Sequence, residues 1–581
     1  MTKPPNPLTE RGLNNLVAFT RLLGYVRHFH PSDEAAAITD GWHRFAVEGV
    51  QSVEGATDSC DLAHRLSAHF RTVAPTLRVF LTGQRLPLPV ELFPPANRQG
   101  LGVMMWRHEG YGAPRFARPY RSVRVRKSTP QGCIPKRLPD PRQPYRADLG
   151  GGVSCCVPLA LWTDARGTLP HRAQQKRAST SEPREYLGDD RAVRLAAVAL
   201  AWNVWQHFYP YFDVVKTDWR GVLRETLCAA ATDYDATEFL STLRRMNAQL
   251  QDGHGYVQRH ADWRRYAPPF HMDWIEERLV ITSVTPEGAG GLRPGDVVLR
   301  VDGQPATGAL ESQERLVSAA TPGRRRFRAI QELLADTDES EMVLEIATAT
   351  GQPQAVTVRR SVLCPSYWDL GFLQRESRPP KIVEMQPGLW YVDFCRTEDS
   401  EFYAVLSHLA QARGVLFDVR GYPSAISYHT LAHLIDAPIT SPKHCLPTRL
   451  YPDRQRVEWD VRQWDPIFPV APRIAGKIAF LTDERAVSWA ETYLAFVEHY
   501  HLGEIVGAPT AGTNGALNEI EEIIGGYRLY WTCYRVLKHD GSPHHGIGLL
   551  PTIPVTRTLR GVAAGRDEVM ERALEVVSAR P

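Results

Sequence analysis

The 581-residue chain contains no run of about 18 apolar residues, so no membrane-crossing helix is expected and no membrane partner is implied. Its first residues, Met1-Thr2-Lys3-Pro4-Pro5-Asn6-Pro7, lack the apolar core of a secretory signal. Charge of one sign is lacking too. The 68 basic residues nearly cancel the 65 acidic ones, leaving +3, whereas a nucleic-acid binder needs a concentrated basic face. No Cys-x-x-Cys occurs to suggest zinc, and among nine cysteines only Cys155-Cys156 are close in sequence. A disulfide framework is therefore not expected, and neither a metal nor an organic cofactor is implied. The expectation is a reduced, cytoplasmic, multidomain protein, since roughly 150 residues per domain suits three to five units.

What is present begins with an internal echo. The stretch 22–31 (LLGYVRHFHP), followed by Asp40-Gly41-Trp42, is matched by 201–210 (AWNVWQHFYP), followed by Asp218-Trp219. Each copy reads as a helix stopped by a proline, a short loop and a second helix, because proline cannot continue the hydrogen-bond ladder. Two copies are too few for a solenoid and read as two related helical modules. His28 and His207 end the first helix of each module, where a histidine is more often a structural hydrogen-bonder than a base. Between the modules, short β-like runs with many turn residues suggest a small sandwich or barrel. Its basic residues Arg115, Arg118, Arg121, Arg124, Arg126 and Lys127 read as a solvated strand face.

The segment 279–301 (LVITSVTPEGAGGLRPGDVVLRV) resembles a PDZ domain, with its Gly-x-Arg-Pro-Gly-Asp turn between two strands. An Arg- and Glu-rich stretch, 311–340, interrupts it. The resemblance implies capture of an extended peptide or peptide C-terminus by strand addition, or a brace that binds nothing. From Gly388 onward strands alternate with helices: 389–394, then a helix at 401–412, strand 414–419, a helix at 427–435, strand 477–482 and a helix at 488–501. That alternation implies an α/β layer with a largely parallel sheet.

The expected architecture is multidomain α+β. It comprises an N-terminal helical module (8–86), a small β-rich domain (87–168) and a linker (169–190). A second helical module follows (191–266), then a PDZ-like β domain (267–363) and an α/β catalytic core (364–581).

Ser488 stands where a buried strand gives way to a helix, the setting that exposes a nucleophile and aims the next amides at an oxyanion. Serine is equally a good helix N-cap. His254, in Leu250-Gln251-Asp252-Gly253-His254-Gly255, is the candidate base, its flanking glycines permitting a tight, approachable turn. Six segments in order, 250–257, the PDZ turn, 416–423, 480–491, 507–515 and 546–555, resemble the S41 serine peptidases, which include C-terminal processing proteases and the tricorn core protease. That family's core has a ClpP/crotonase-like fold. The resemblance implies hydrolysis of extended peptides or proteins through an acyl-enzyme. Thr513 occupies the position of the lysine base of the processing proteases, so the tricorn-like Ser488–His254 pair is implied instead. The oxyanion hole would combine the Trp489 amide with one from Gly421 or Ser424. Two positions depart from the tricorn pattern: Gly253 replaces a serine and His545 a glutamate. The group that orients His254 is thus left among Asp252, Glu491 and His545. Two rival readings share these residues: a hydrolase or acyl-transfer enzyme acting on a non-protein ester, lactone or biosynthetic peptide, and a non-catalytic peptide-binding protein. A homo-oligomer is left open.

Overall fold

The computed structural model describes all residues except 1–4, 39–40, 115–119, 130–133, 172–185, 260–263, 286–289, 348–352, 365–376 and 580–581; the side chains of 113–114 and 520–522 are also outside it. Arg115 and Arg118 of the basic cluster, Asp40 of the echo and most of the linker therefore lie outside the described residues. Among the described residues no helix is long and apolar enough to cross a membrane.

The echoed sequences form the helices Glu10–Phe29 and Arg191–Phe208. Each opens on a side-chain cap, Thr9 on the Gly12 amide and Asp190 on the Ala192 and Val193 amides, and each stops two residues before its proline. The helices pack on one another reciprocally. His28 meets Phe208 at 5.2 Å between ring centroids, and Phe29 meets His207 at 5.1 Å. Asn203 donates across the crossing to the Thr20 carbonyl at 2.7 Å. A Cβ at Gly24 would run into the Asn203 side chain, so glycine is what lets the helices approach. Both histidines are buried and structural in contact: Asp453 N donates to His207 Nδ1, and His108 Nε2 lies 2.7 Å from the His28 carbonyl. One hydrophobic core gathers Phe19 and Leu23 of the first helix, Leu200 and Trp205 of the second, and Leu529 and Trp531 from far along the chain.

Between the helices lie two small antiparallel sheets, one of three strands and one of four. Arg124 of the second pairs with Asp33 at 2.6 Å and also donates to the Pro31 carbonyl, so it is not a free anion site. Residues 270–359 carry a six-stranded sheet, antiparallel in every pairing, with the helices Ala306–Glu314 and Pro322–Leu334 against it. The Arg- and Glu-rich stretch contains the second of these helices, whose apolar side, Phe327, Ala329, Ile330 and Leu334, is buried.

A second six-stranded sheet runs Ile382–Gln386, Leu389–Asp393, Gly414–Asp418, Lys477–Thr482, Glu504–Gly507 and Ile553–Pro554, parallel except at its first pair. It is buried on both faces. Phe417 and Phe480 point toward the helices Asp399–Gln411 and Trp489–Tyr500; Leu416, Ala479 and Leu481 point toward the helix Glu568–Ser578. The helix expected at 427–435 is a 3₁₀ turn, Tyr428–His433, because Ser427 Oγ caps the amide only two residues on and tightens the winding.

A four-stranded sheet joins distant parts of the chain: Ala113–Pro114, Leu517–Ile523, Tyr527–Thr532 and Tyr256–Arg259. Its register pairs Tyr530 with Tyr256. Continued by two residues, that antiparallel register carries Thr532 to the level of His254.

Candidate active site

Ser488 lies between the strand Lys477–Thr482 and the helix Trp489–Tyr500. Its φ is +57° and ψ −106°, a conformation that a non-glycine residue adopts only when its surroundings impose it. The surroundings here are two acceptors on its amide, the Thr513 carbonyl at 2.9 Å and Glu491 Oε2 at 3.2 Å. The Ser488 hydroxyl donates to the Gly515 carbonyl at 3.4 Å.

Glu491 is completely buried and accepts from Thr510 Oγ1 and the Gly512 and Thr513 amides as well as from Ser488. His544 Nε2 is 3.3 Å from Glu491 Oε1 but is not aligned for a hydrogen bond. Glu491 therefore ties the start of the helix Trp489–Tyr500 to the loop 510–515 and does not hold His254.

His254 lies in the turn two residues before the strand Tyr256–Arg259 and is 5% exposed. Its Nδ1 is 2.9 Å from Thr532 Oγ1, and Thr532 Oγ1 is 2.7 Å from Asp252 Oδ1. Asp252 also accepts from the Thr532 amide on Oδ2 at 2.7 Å and from the His254 amide on Oδ1 at 3.0 Å. All three of these groups donate to Asp252, which is the pattern of a carboxylate. Thr532 has one hydroxyl proton and gives it to Asp252, so its oxygen receives the Nδ1–H of His254. The neutral imidazole is thereby fixed with its lone pair on Nε2, for which no partner exists among the described residues. Burial pushes His254 down to about 3, with Arg324 and Arg328 adding to the effect. Burial pushes Asp252 up, against the opposing pull of its hydrogen bonds from Thr532 and the His254 amide.

The serine and histidine loops meet through Thr513. Its carbonyl takes the Ser488 amide, and its Oγ1 takes the Gly253 amide at 2.9 Å. A Cβ at position 253 would stand 2.6 Å from Thr513 Oγ1 and 2.9 Å from Thr513 Cβ. Two positions singled out in the sequence thus touch: Thr513 fills the space that a side chain at 253 would need.

The helix Pro322–Leu334 clamps the same loops from the six-stranded antiparallel sheet. Arg328 donates to the carbonyls of Gly253, Gly255 and Ser318, Arg324 to those of Glu484 and Arg485, and Thr321 to that of Ala511. Ser318 Oγ in turn accepts from the Asp252 amide at 2.9 Å.

In the loop after the strand Gly414–Asp418, Arg420 pairs with Asp418 and Asp567. The positive φ in this loop falls on Gly421, at +153°, and not on Ser424. The Gly421 amide is spent on the Val419 carbonyl and the Ser424 amide on the Tyr422 carbonyl. Among the described residues, the amides of Tyr422 and Trp489 have no acceptor. The Tyr422 ring is half-exposed, and burial raises its phenol against the opposing influence of the Ser488 side chain.

His545 lies behind the histidine turn. Its Nε2 donates to the Gln251 carbonyl at 3.0 Å, and its ring stacks on Tyr211 at 4.0 Å. Burial lowers it to about 3. It braces the turn from the far side. Sequence reasoning missed Thr532, Tyr422, Arg324 and Arg328. For Thr532 the only signal was the strand register, which pairs segments about 270 residues apart and cannot be read locally.

Residues 389–555 match the sequence model of peptidase family S41. No curated protein matches the chain. Among solved structures, mature CPAF complexed with lactacystin superposes with a TM-score of 0.54 and 15% identity, over 66% of this chain and 97% of that one. Mature CPAF alone gives 0.53 and 14%, over 66% and 96%. The tricorn protease gives 0.33 and 13%, over 66% of this chain and 36% of that one. At such identities the CPAF likeness is one of fold. The segment that carries Ser488 thus matches peptidase family S41 in sequence, and the chain shares its fold with CPAF.

Proposed function

We propose that the chain hydrolyses extended peptides or proteins through an acyl-enzyme, with Ser488 as nucleophile and His254 as general base and acid. The observation that carries the Ser–His assignment is the chain Asp252–Thr532–His254, which leaves Nε2 as the acceptor a base requires. Rotation of the Ser488 hydroxyl from the Gly515 carbonyl to His254 Nε2 delivers its proton as Oγ bonds to the substrate carbonyl carbon. Catalytic hydrogen bonds commonly tighten only when substrate is present. Collapse of the tetrahedral intermediate breaks the C–N bond, and the leaving amine takes the proton from Nε2. Water then repeats the sequence and releases the acid. The oxyanion falls to the free amides of Trp489 and Tyr422, each such donor contributing about 3 kcal/mol to lowering the barrier.

The antiparallel sheet of 270–359 is read as PDZ-like. Its edge strand Phe270–Ile275, beside the helix Pro322–Leu334, is where a peptide would add as a further strand. The same helix clamps the catalytic loops, which supports a role for this unit next to the substrate.

A fluorophosphonate probe tests the assignment. Wild type is expected to be labelled at Ser488 and to cleave members of a peptide library, with both properties lost in Ser488→Ala and labelling slowed at least a hundredfold in His254→Ala. An unlabelled, inactive wild type sinks the enzyme reading. Full-rate labelling of His254→Ala shows that the base is another group.

A further inference from the structure

A closed circuit of side chains starts and ends at Ser488. Next in sequence, Trp489 has its ring 5.6 Å from Trp464. Trp464 stacks on His444 at 4.8 Å and 18°, and His444 meets Tyr534 edge-on at 5.7 Å. The backbone of Tyr534 abuts Gly515: a Cβ there would lie 2.6 Å from the Tyr534 carbonyl oxygen. Gly515 closes the loop, because its own carbonyl accepts the Ser488 hydroxyl.

The circuit follows from the sheet Glu458–Arg462, Lys443–Thr448 and Arg535–Leu537. His444 is registered opposite both Arg462 and Val536. Trp464 and Tyr534 stand two residues beyond those partners, on the face that His444 occupies. The Trp464 amide is pinned by Ser441 Oγ at 2.9 Å.

Two properties of the circuit are unusual for core packing. Trp464, Trp489 and Tyr534 are each only half-buried, so aromatic surface is left open beside the nucleophile. His444 is 5% exposed, yet among the described residues neither ring nitrogen has a partner. A buried polar group without a partner costs free energy that a ligand can recover. Burial lowers His444 to about 4, so at neutral pH it is an uncharged ring with one N–H and one lone pair. A phenolic hydroxyl can meet either one of them, donating to the bare nitrogen or accepting from the N–H.

We propose that Trp464, Trp489, Tyr534 and His444 form the subsite for a residue bordering the scissile bond, and that the side chain it selects is tyrosine. The rings supply edge and face contacts to an aromatic side chain, and His444 meets its hydroxyl. This assignment rests on the peptidase reading above, and the test separates the two.

Fluorogenic peptides are varied as Tyr, Phe, Leu and Ala on each side of the cleaved bond, with Ser488 labelling measured in parallel. For wild type, kcat/KM for Tyr is expected to exceed that for Ala by about 30- to 100-fold at one of the two positions. Tyr should exceed Phe by about fivefold or more. In His444→Phe the Tyr-to-Phe ratio should fall to one while the aromatic-to-Ala ratio survives; in Trp464→Leu the aromatic-to-Ala ratio should itself collapse. The ratios are taken within each variant, and the wild-type series decides alone should a variant not fold. A wild type that is labelled and cleaves peptides, yet treats the four residues alike on both sides, overturns the subsite and leaves the peptidase reading standing. A Tyr-to-Phe ratio unchanged in His444→Phe overturns the part given to His444. A wild type neither labelled nor active overturns both proposals.

Discussion

Replacing Thr532 by valine keeps the shape of a buried side chain and removes one oxygen. That oxygen receives the His254 Nδ1–H at 2.9 Å and donates to Asp252 at 2.7 Å. Without it, a buried imidazole N–H is left unpaired, at a cost of about 1–3 kcal/mol to stability. The larger effect falls on the step in which the ring becomes cationic. A hydrogen bond from a charged donor contributes about 1.5–3 kcal/mol, and the loss raises the barrier by that amount. At a factor of ten per 1.36 kcal/mol, kcat should fall about 10- to 150-fold. KM should barely move, because Thr532 lies behind the base and does not face the peptide. Thr532→Ser restores the hydroxyl and should recover most of the rate. The assay is steady-state hydrolysis of a fluorogenic peptide by the three proteins, with thermal unfolding in parallel. A kcat within twofold of wild type for Thr532→Val, or a serine variant no better than the valine one, refutes the relay.

Three further outcomes are expected. Gly253→Ala should destabilise the protein by about 1–3 kcal/mol, because its Cβ meets Thr513, and Thr513→Gly in the same chain should recover most of that; strictly additive effects in denaturant titrations would contradict the shared space. Burial holds His30 and His108 down to about 3 and His207 to about 4, below the unfolded value of about 6.5. Their contribution is therefore complete above pH 6.5 and declines as pH falls below it, since the unfolded chain takes up protons that the folded one refuses. At pH 5.5 each should cost about 1.4 kcal/mol; with His254, His444 and His545 held low as well, the unfolding free energy should fall by at least about 8 kcal/mol between pH 7.5 and 5.5. Finally, His254 at about 3 stays unprotonated well below the ordinary histidine range, so kcat/KM should be flat from pH 8 to 6; an acid limb with its midpoint between 6 and 7 would show that the ring ionises normally.

The parts of the site legible in the sequence were those whose chemistry and backbone demands coincide locally. Ser488 could be found because a buried strand runs into a helix at that point, and His254 because glycines flank it. Thr513 could be recognised as a missing lysine, but its contact with Gly253 could not, since the two loops lie 260 positions apart. What orients the base was illegible for the same reason: Asp252 acts only through Thr532, and their meeting depends on a strand register set by the whole sheet. Glu491 was read as a partner for His254 from its place one turn into the nucleophile helix, yet four donors from the serine and its neighbouring loop occupy it. In the loop after the strand Gly414–Asp418, Gly421 and Ser424 were equal candidates by sequence, whereas the fold spends both amides on carbonyls of the same loop. The echo was legible as sequence and not as a contact, because nothing in either copy says that each will be the other's packing partner.

That mutual packing has a consequence for how the chain divides. All eighteen residues of the helix Arg191–Phe208 are buried, although most surface helices of a globular protein keep one side wet. The first helix covers a face that would otherwise open to water, and Leu529 and Trp531, adjoining Thr532, sit in the same core. The first 190 residues are therefore not a detachable appendage. Cutting them away would strip an apolar helix and loosen the strand that holds His254, so residues 191–581 alone would present a large apolar face to water.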